Sequence, residues 1–118
     1  MMRTEILADR ARPILTQVAR FGQTITYGQL AALITRPDEP LLDTRVMGKV
    51  LDKIAKADVE EPVDLTAFVV SHATGEVSKG WRQYGAGSHR SDSAKDTRLA
   101  STRHLKGRTY DNVRVLTA

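Results

Sequence analysis

The 118-residue chain contains no cysteine. This excludes disulfides, thiol nucleophiles and cysteine-based zinc sites. A small disulfide-free domain fits a reducing compartment, so the expectation is a cytoplasmic protein. Long apolar runs are absent too. None approaches the roughly 20 residues needed to span a bilayer, and no membrane association is expected. Near the N-terminus, Glu5, Asp9, Arg10 and Arg12 interrupt any apolar core of the kind a signal peptide requires. The length supports one domain with one modest core, not a core plus a separate catalytic domain.

Charge is present, with a bias. The formal net charge is +4 and the isoelectric point is near 9.7, so the surface favours polyanions. The excess is uneven. Residues 82–118 carry eight basic and three acidic residues, whereas residues 41–81 carry five basic and seven acidic.

Hydrophobic periodicity predicts an α+β chain. Leu7, Ala11, Ile14, Leu15 and Val18 recur at helical spacing and predict a first helix over residues 5–20. Pro13 would kink it or mark its start, and Gly22 would end it. Thr24 and Ile25 form a short extended entry. Thr26 and Gln29 have capping-box spacing, so a second helix starts at Tyr27. Its buried face is Leu30, Leu33 and Ile34. Arg36-Pro37-Asp38-Glu39-Pro40 predicts a turn.

A third helix starts near Asp43 or Thr44, either of which can cap it. Val46, Met47, Val50, Leu51 and Ile54 face inward. Arg45, Lys49, Lys53 and Lys56 follow on one outer stripe. Gly48 costs a helix interior about 1 kcal/mol relative to alanine, which a close approach of the second helix would justify. Asp58 to Asp64 reads as an acidic, solvated loop. Leu65 to Val70 predicts a buried strand, Ala73-Thr74-Gly75 a turn, and Glu76-Val77-Ser78 a return strand ending at Gly80-Trp81.

Three helices followed by a hairpin is the order of a winged helix-turn-helix, with the hairpin as wing. Residues 1–81 would form that domain and residues 82–118 a basic, partly ordered C-terminal extension. Within the extension, Tyr84 to Ser91 is glycine- and serine-rich and reads as a flexible loop. Asp92 to Leu105 predicts a short helix. Val113, Val115 and Leu116 suggest a terminal strand.

Two segments carry a family resemblance. Ile25-Thr26-Tyr27-Gly28-Gln29-Leu30-Ala31-Ala32 and Arg45-Val46-Met47-Gly48-Lys49-Val50-Leu51 resemble the C-terminal DNA-binding domain of the alkylguanine-DNA alkyltransferases and their alkyltransferase-like relatives. The likeness continues more loosely through Val69-Val70, Gly75 and Gly80-Trp81, and covers roughly residues 5–81. It implies that the third helix enters the minor groove. Arg45 would then take the space of a flipped base and Tyr27 would help rotate the nucleotide. Tyr27 could equally be a core aromatic at a helix start.

The chain departs from that family where the chemistry resides. The family's Pro-Cys-His-Arg signature precedes two valines; here Leu65-Thr66-Ala67-Phe68 precedes Val69-Val70. Thr66 stands at the position of the nucleophile without a histidine beside it, so alkyl transfer is not expected. His72, His89 and His104 lack metal-site spacing, and no cofactor is expected.

The expected function is therefore non-catalytic DNA binding, regulatory or architectural, with double-stranded DNA as partner. The candidate contacts are Tyr27, Arg45, Lys49, Lys53, Lys56, Lys79, Arg82, Arg90 and Arg98. The alternative is a protein-binding module that uses the same scaffold to engage a cellular protein, such as a phage- or plasmid-type inhibitor or adaptor. The acidic loop beside a basic third helix suits protein contacts.

Overall fold

The computed structural model describes residues 3–40, 42–57, 62–77 and 93–117, with side chains described as far as Lys106. Its elements are α1 (Arg3–Arg20), β1 (Ile25–Thr26), α2 (Tyr27–Ile34), α3 (Thr44–Ala57), a 3-10 turn (Leu65–Phe68), β2 (Val69–Val70) and α4 (Ala94–Thr117). Among the described residues, no helix is long and apolar enough to cross a membrane.

The central helix is α1, which buries Leu7, Ala8, Ala11, Leu15 and Ala19. It runs through Pro13 without starting there. Pro13 is exposed, so the hydrogen bond it cannot donate is lost on the wet side of the helix. The helix ends in a tight C-terminal motif. Gly22 N–H donates to Ala19 O at 3.1 Å, and Gln23 N–H donates to Val18 O at 3.0 Å. Gly22 has φ +67°, which suits a residue without Cβ.

The second helix begins at the predicted capping box. Gln29 N–H donates to Thr26 Oγ1 at 3.1 Å, and Thr26 N–H donates to Gln29 Oε1 at 3.0 Å. Its buried residues are Leu30 and Ile34. Leu33, expected inside, is 63% exposed. At 100° per residue the face is centred between Leu30 and Ile34, which leaves Leu33 about 80° off that centre.

An ion pair ties the α2–α3 connection to α1. Arg10 Nη1 donates to Glu39 Oε1 at 2.7 Å and to Ile34 O at 2.9 Å. The Arg10 guanidinium, and then the Arg36 backbone N–H, hold the Glu39 carboxyl below its ordinary value of 4.5. A carboxyl lowered on folding contributes stability above its unfolded pKa and loses it as pH falls through the folded one. Acid unfolding of Glu39→Gln should therefore be shallower than that of the wild type at pH below about 4.5. Parallel acid-unfolding curves for the two proteins would show Glu39 to be idle.

Asp43 caps α3, its Oδ1 accepting from Val46 N–H at 2.9 Å. Met47, Val50, Leu51, Ile54 and Ala55 are buried, and Val46 packs partly buried against the core. This matches the inward face read from the sequence.

The predicted hairpin wing is overturned. Residues 65–68 are not strand but a 3-10 turn, and Val69–Val70 pairs in parallel with Ile25–Thr26, not with a return strand. Ser71 to Glu76 closes on itself, with Ser71 N–H to Glu76 O and Gly75 N–H to Ser71 O both at 2.8 Å. Glu76 and Val77 form no strand, and Ser78 lies outside the described residues. The described fold is thus four helices with one two-stranded parallel sheet, and no winged helix is shown. The cause lies in the pairing. Both residues of β2 are buried, and their ladder partner is the entry to α2 rather than a return strand among the described residues.

The expected terminal strand is likewise replaced by helix, because α4 runs to Thr117. A helix satisfies its backbone internally, whereas a strand at 113–116 would need a free sheet edge. In α4, Thr97, Ser101 and Leu105 are buried, and Leu105 joins the same core as Leu7, Leu15, Leu51 and Phe68.

Candidate nucleic-acid interface

The basic stripe of α3 divides in two. Lys53 Nζ pairs with Glu5 Oε1 of α1 at 3.0 Å, and Lys56 Nζ pairs with Asp52 Oδ2 one turn earlier at 2.9 Å. Both pairs are largely exposed and weak, about 0–1 kcal/mol each. They nonetheless offset the positive charge of the C-terminal half. Arg45 and Lys49 are exposed in the N-terminal half and have no ion-pair partner among the described residues. One helical turn separates them, so they project from the same face. Arg45 also sits in the first turn, where unpaired backbone N–H groups favour anions.

Gly48 flanks that face, about 60° around the helix from Arg45 and about 100° from Lys49, and is partly exposed. A Cβ built there meets nothing within 4 Å. The expected close approach of α2 is therefore absent, and Gly48 is not a packing requirement of the described fold. Its cost to the helix is not repaid by any neighbour there.

The other predicted contacts disperse. Tyr27 opens α2 and packs partly buried against the hydrophobic core. Its aromatic ring has the core surroundings of the alternative reading. Arg98 is half-buried on α4, and its Nη1 donates to Ala67 O at 3.0 Å. It clamps the 3-10 turn to α4. Lys79, Arg82 and Arg90 lie outside the described residues. The structure thus brings Arg45 and Lys49 together and directs Lys53, Lys56 and Arg98 into bonds within the protein.

Thr66 lies in the 3-10 turn, 2% exposed. Its hydroxyl donates to Asp64 Oδ1 at 2.6 Å, and its N–H donates to the same oxygen at 3.1 Å. A carboxylate thus lies beside Thr66 after all, two residues upstream. An aspartate is a weak base for a hydroxyl, and the pair is closed to a substrate, so the arrangement is a cap and not an activated nucleophile. Asp64 itself, read as part of a solvated acidic run, is 1% exposed. Its backbone N–H donates to Ser101 Oγ of α4 at 3.1 Å. The Asp-x-Thr spacing of an Asx-type turn was the available signal. Asp64→Ala would leave the Thr66 donors unsatisfied, and a loss of about 1–3 kcal/mol is expected in urea unfolding. Asp64→Asn retains the acceptor and should recover most of it. Equal losses for the two variants would show that the carboxylate charge, not its acceptor oxygen, is what matters.

Among the described residues, no group of three or more His, Asp or Glu side chains is placed to hold a metal ion. His72 and His104 are exposed, in a turn and on α4. No protein-family model, curated protein or solved structure matches the chain.

Proposed function

We propose that this chain is a non-catalytic DNA-binding protein, regulatory or architectural, that contacts the double helix with the N-terminal half of α3. The observation that carries the reading is the Arg45–Gly48–Lys49 face. Two exposed cations stand one turn apart, flanked by a glycine whose missing side chain no neighbour in the described fold explains. Backbone bared beside the cations lets a phosphate–sugar strand approach closely. The resemblance of residues 25–32 and 45–51 to the alkyltransferase DNA-binding domain supports the same use of this helix. The net charge of +4 favours a polyanion. Alkyl transfer forms no part of the proposal, since threonine replaces the nucleophile and is buried as a cap.

The test is a salt series. Binding of the intact chain to a labelled random duplex is measured by anisotropy as salt rises. The slope of log K against log salt should be negative, by about 0.9 for each phosphate neutralised. Absence of binding at low salt, or a flat slope, overturns the reading.

A further inference from the structure

Three large apolar side chains are exposed among the described residues: Phe21 at 61%, Leu33 at 63% and Leu99 at 55%. They are not scattered. Phe21 and Leu33 line a groove between α1 and α2 that also includes Ile14, Val18 and Ile25. Phe21 and Leu99 line a second groove between the end of α1 and α4. The two grooves share Phe21 and form one surface with two characters. The α2 side is aliphatic. The α4 side carries Lys95, Arg98, Arg103 and Lys106. Among the described residues, no carboxylate lines either groove.

The surface is rigidly presented. Phe21 closes the C-terminal motif of α1, its N–H donating to Gln17 O at 3.2 Å, immediately before the left-handed Gly22. Thr102 Oγ1 donates to Ala19 O at 2.7 Å and holds α4 against this turn. Phe21 is therefore an exposed aromatic on an ordered turn, so little further backbone entropy is lost when a ligand covers it. Aromatic anchors of this kind dominate protein interfaces. On α4 the groove-facing residues Lys95, Leu99, Thr102 and Lys106 repeat at helical spacing, opposite the buried face of Thr97, Ser101 and Leu105.

We propose that this surface docks an acidic amphipathic segment of a partner protein, distinct from the DNA proposed for α3. Apolar side chains of the segment would seat between Phe21 and Leu33. Its carboxylates would meet the Lys95–Arg98–Arg103–Lys106 half. Charge complementarity selects the acidic partner, because four cations and, among the described residues, no carboxylate line the groove. The aliphatic half selects protein over duplex DNA, whose surface is dominated by charged phosphates and offers little apolar area to bury on Leu33, Ile14 and Val18. The chain would then join a nucleic acid to a protein.

The experiment is a selection from a displayed random-peptide library on the intact protein. Enriched peptides are then resynthesised and measured by anisotropy. Recovered sequences should combine Leu, Phe or Trp with Asp and Glu. Their affinity should fall at least about tenfold in Phe21→Ser with Leu33→Ser. It should fall similarly in Lys95→Glu with Arg103→Glu. All four positions are exposed, so melting temperatures should stay at the wild-type value, and an Arg45→Ala control should leave peptide binding intact. Four results overturn the proposal. Selection returns no sequence that depends on Phe21 and Leu33. Recovered peptides are basic or neutral. A single-stranded oligothymidylate competes through Phe21, which would make the surface a base-stacking site. Sedimentation without peptide shows self-association that Phe21→Ser abolishes, which would assign the surface to a second copy.

Discussion

A chain ended at Trp81 should fail to show a cooperative thermal transition. Such a chain loses α4, and α4 closes the core from one side. Leu105 leaves the cluster it shares with Leu7, Leu15 and Phe68. A buried leucine truncated to alanine alone costs about 2–5 kcal/mol. Three hydrogen bonds to the body go with it: Asp64 N–H to Ser101, Arg98 to Ala67 O, and Thr102 to Ala19 O. Each buried group left unpaired adds about 1–3 kcal/mol. The total is comparable with the whole stability of a small domain, about 5–15 kcal/mol. Circular dichroism during heating is the measurement. A sharp transition in the shortened chain would show that α4 is dispensable. Leu105→Ala in the full chain gives the graded version, with an expected loss at the lower end of the leucine range because the side chain retains 7% exposure.

The basic C-terminal extension thus holds a helix that packs on the body through Thr97, Ser101 and Leu105. Its composition misleads because the four groove cations and the three buried residues alternate along one helix. Charge dominates any average over the segment. Thr97 and Ser101 hide the buried face, since neither scores as hydrophobic.

Legibility elsewhere followed locality. Thr26 and Gln29 bond across one turn, so spacing located the start of α2; for α3 residue type narrowed the cap to Asp43 or Thr44, and the bond to Val46 N–H selects Asp43. The inward face of α3 was legible for the same reason, as one uninterrupted period. The parallel pairing of Ile25 with Val69 spans most of the body and involves two residues a side. Nothing alternates over so short a strand, so Leu65 to Val70 read as one long apolar strand and suggested a wing. Within the candidate interface, Arg45 and Lys49 were legible only as members of a four-cation stripe with Lys53 and Lys56. The diversion of Lys53 was not, because its partner Glu5 lies on another helix and only the packing of α3 on α1 brings them together. Gly48 illustrates the converse. Its position inside a helix was plain, but whether a neighbour required it could be settled only by the space around it.

That space leads to the second large effect. Arg45→Ala with Lys49→Ala should reduce the salt slope of duplex binding by about 1.8 units if each contacts one phosphate. Near a tenth molar salt this corresponds to a loss of at least about tenfold in affinity. Lys53→Ala with Lys56→Ala should change both far less, since those charges already pair with Glu5 and Asp52. Gly48→Ala separates binding from folding. No neighbour meets the added methyl in the described fold, so the helix should gain about 0.5–1 kcal/mol. The same methyl flanks the two cations, on the surface that the proposed DNA backbone would cover. Stability and affinity should therefore move in opposite directions in this one variant, with a higher melting temperature and a weaker complex. The measurements are thermal unfolding and anisotropy on the same preparation. A Gly48→Ala protein that is more stable and binds duplex as well as the wild type would place the DNA elsewhere. If the double Arg45, Lys49 variant also kept its slope, α3 would not be the binding element.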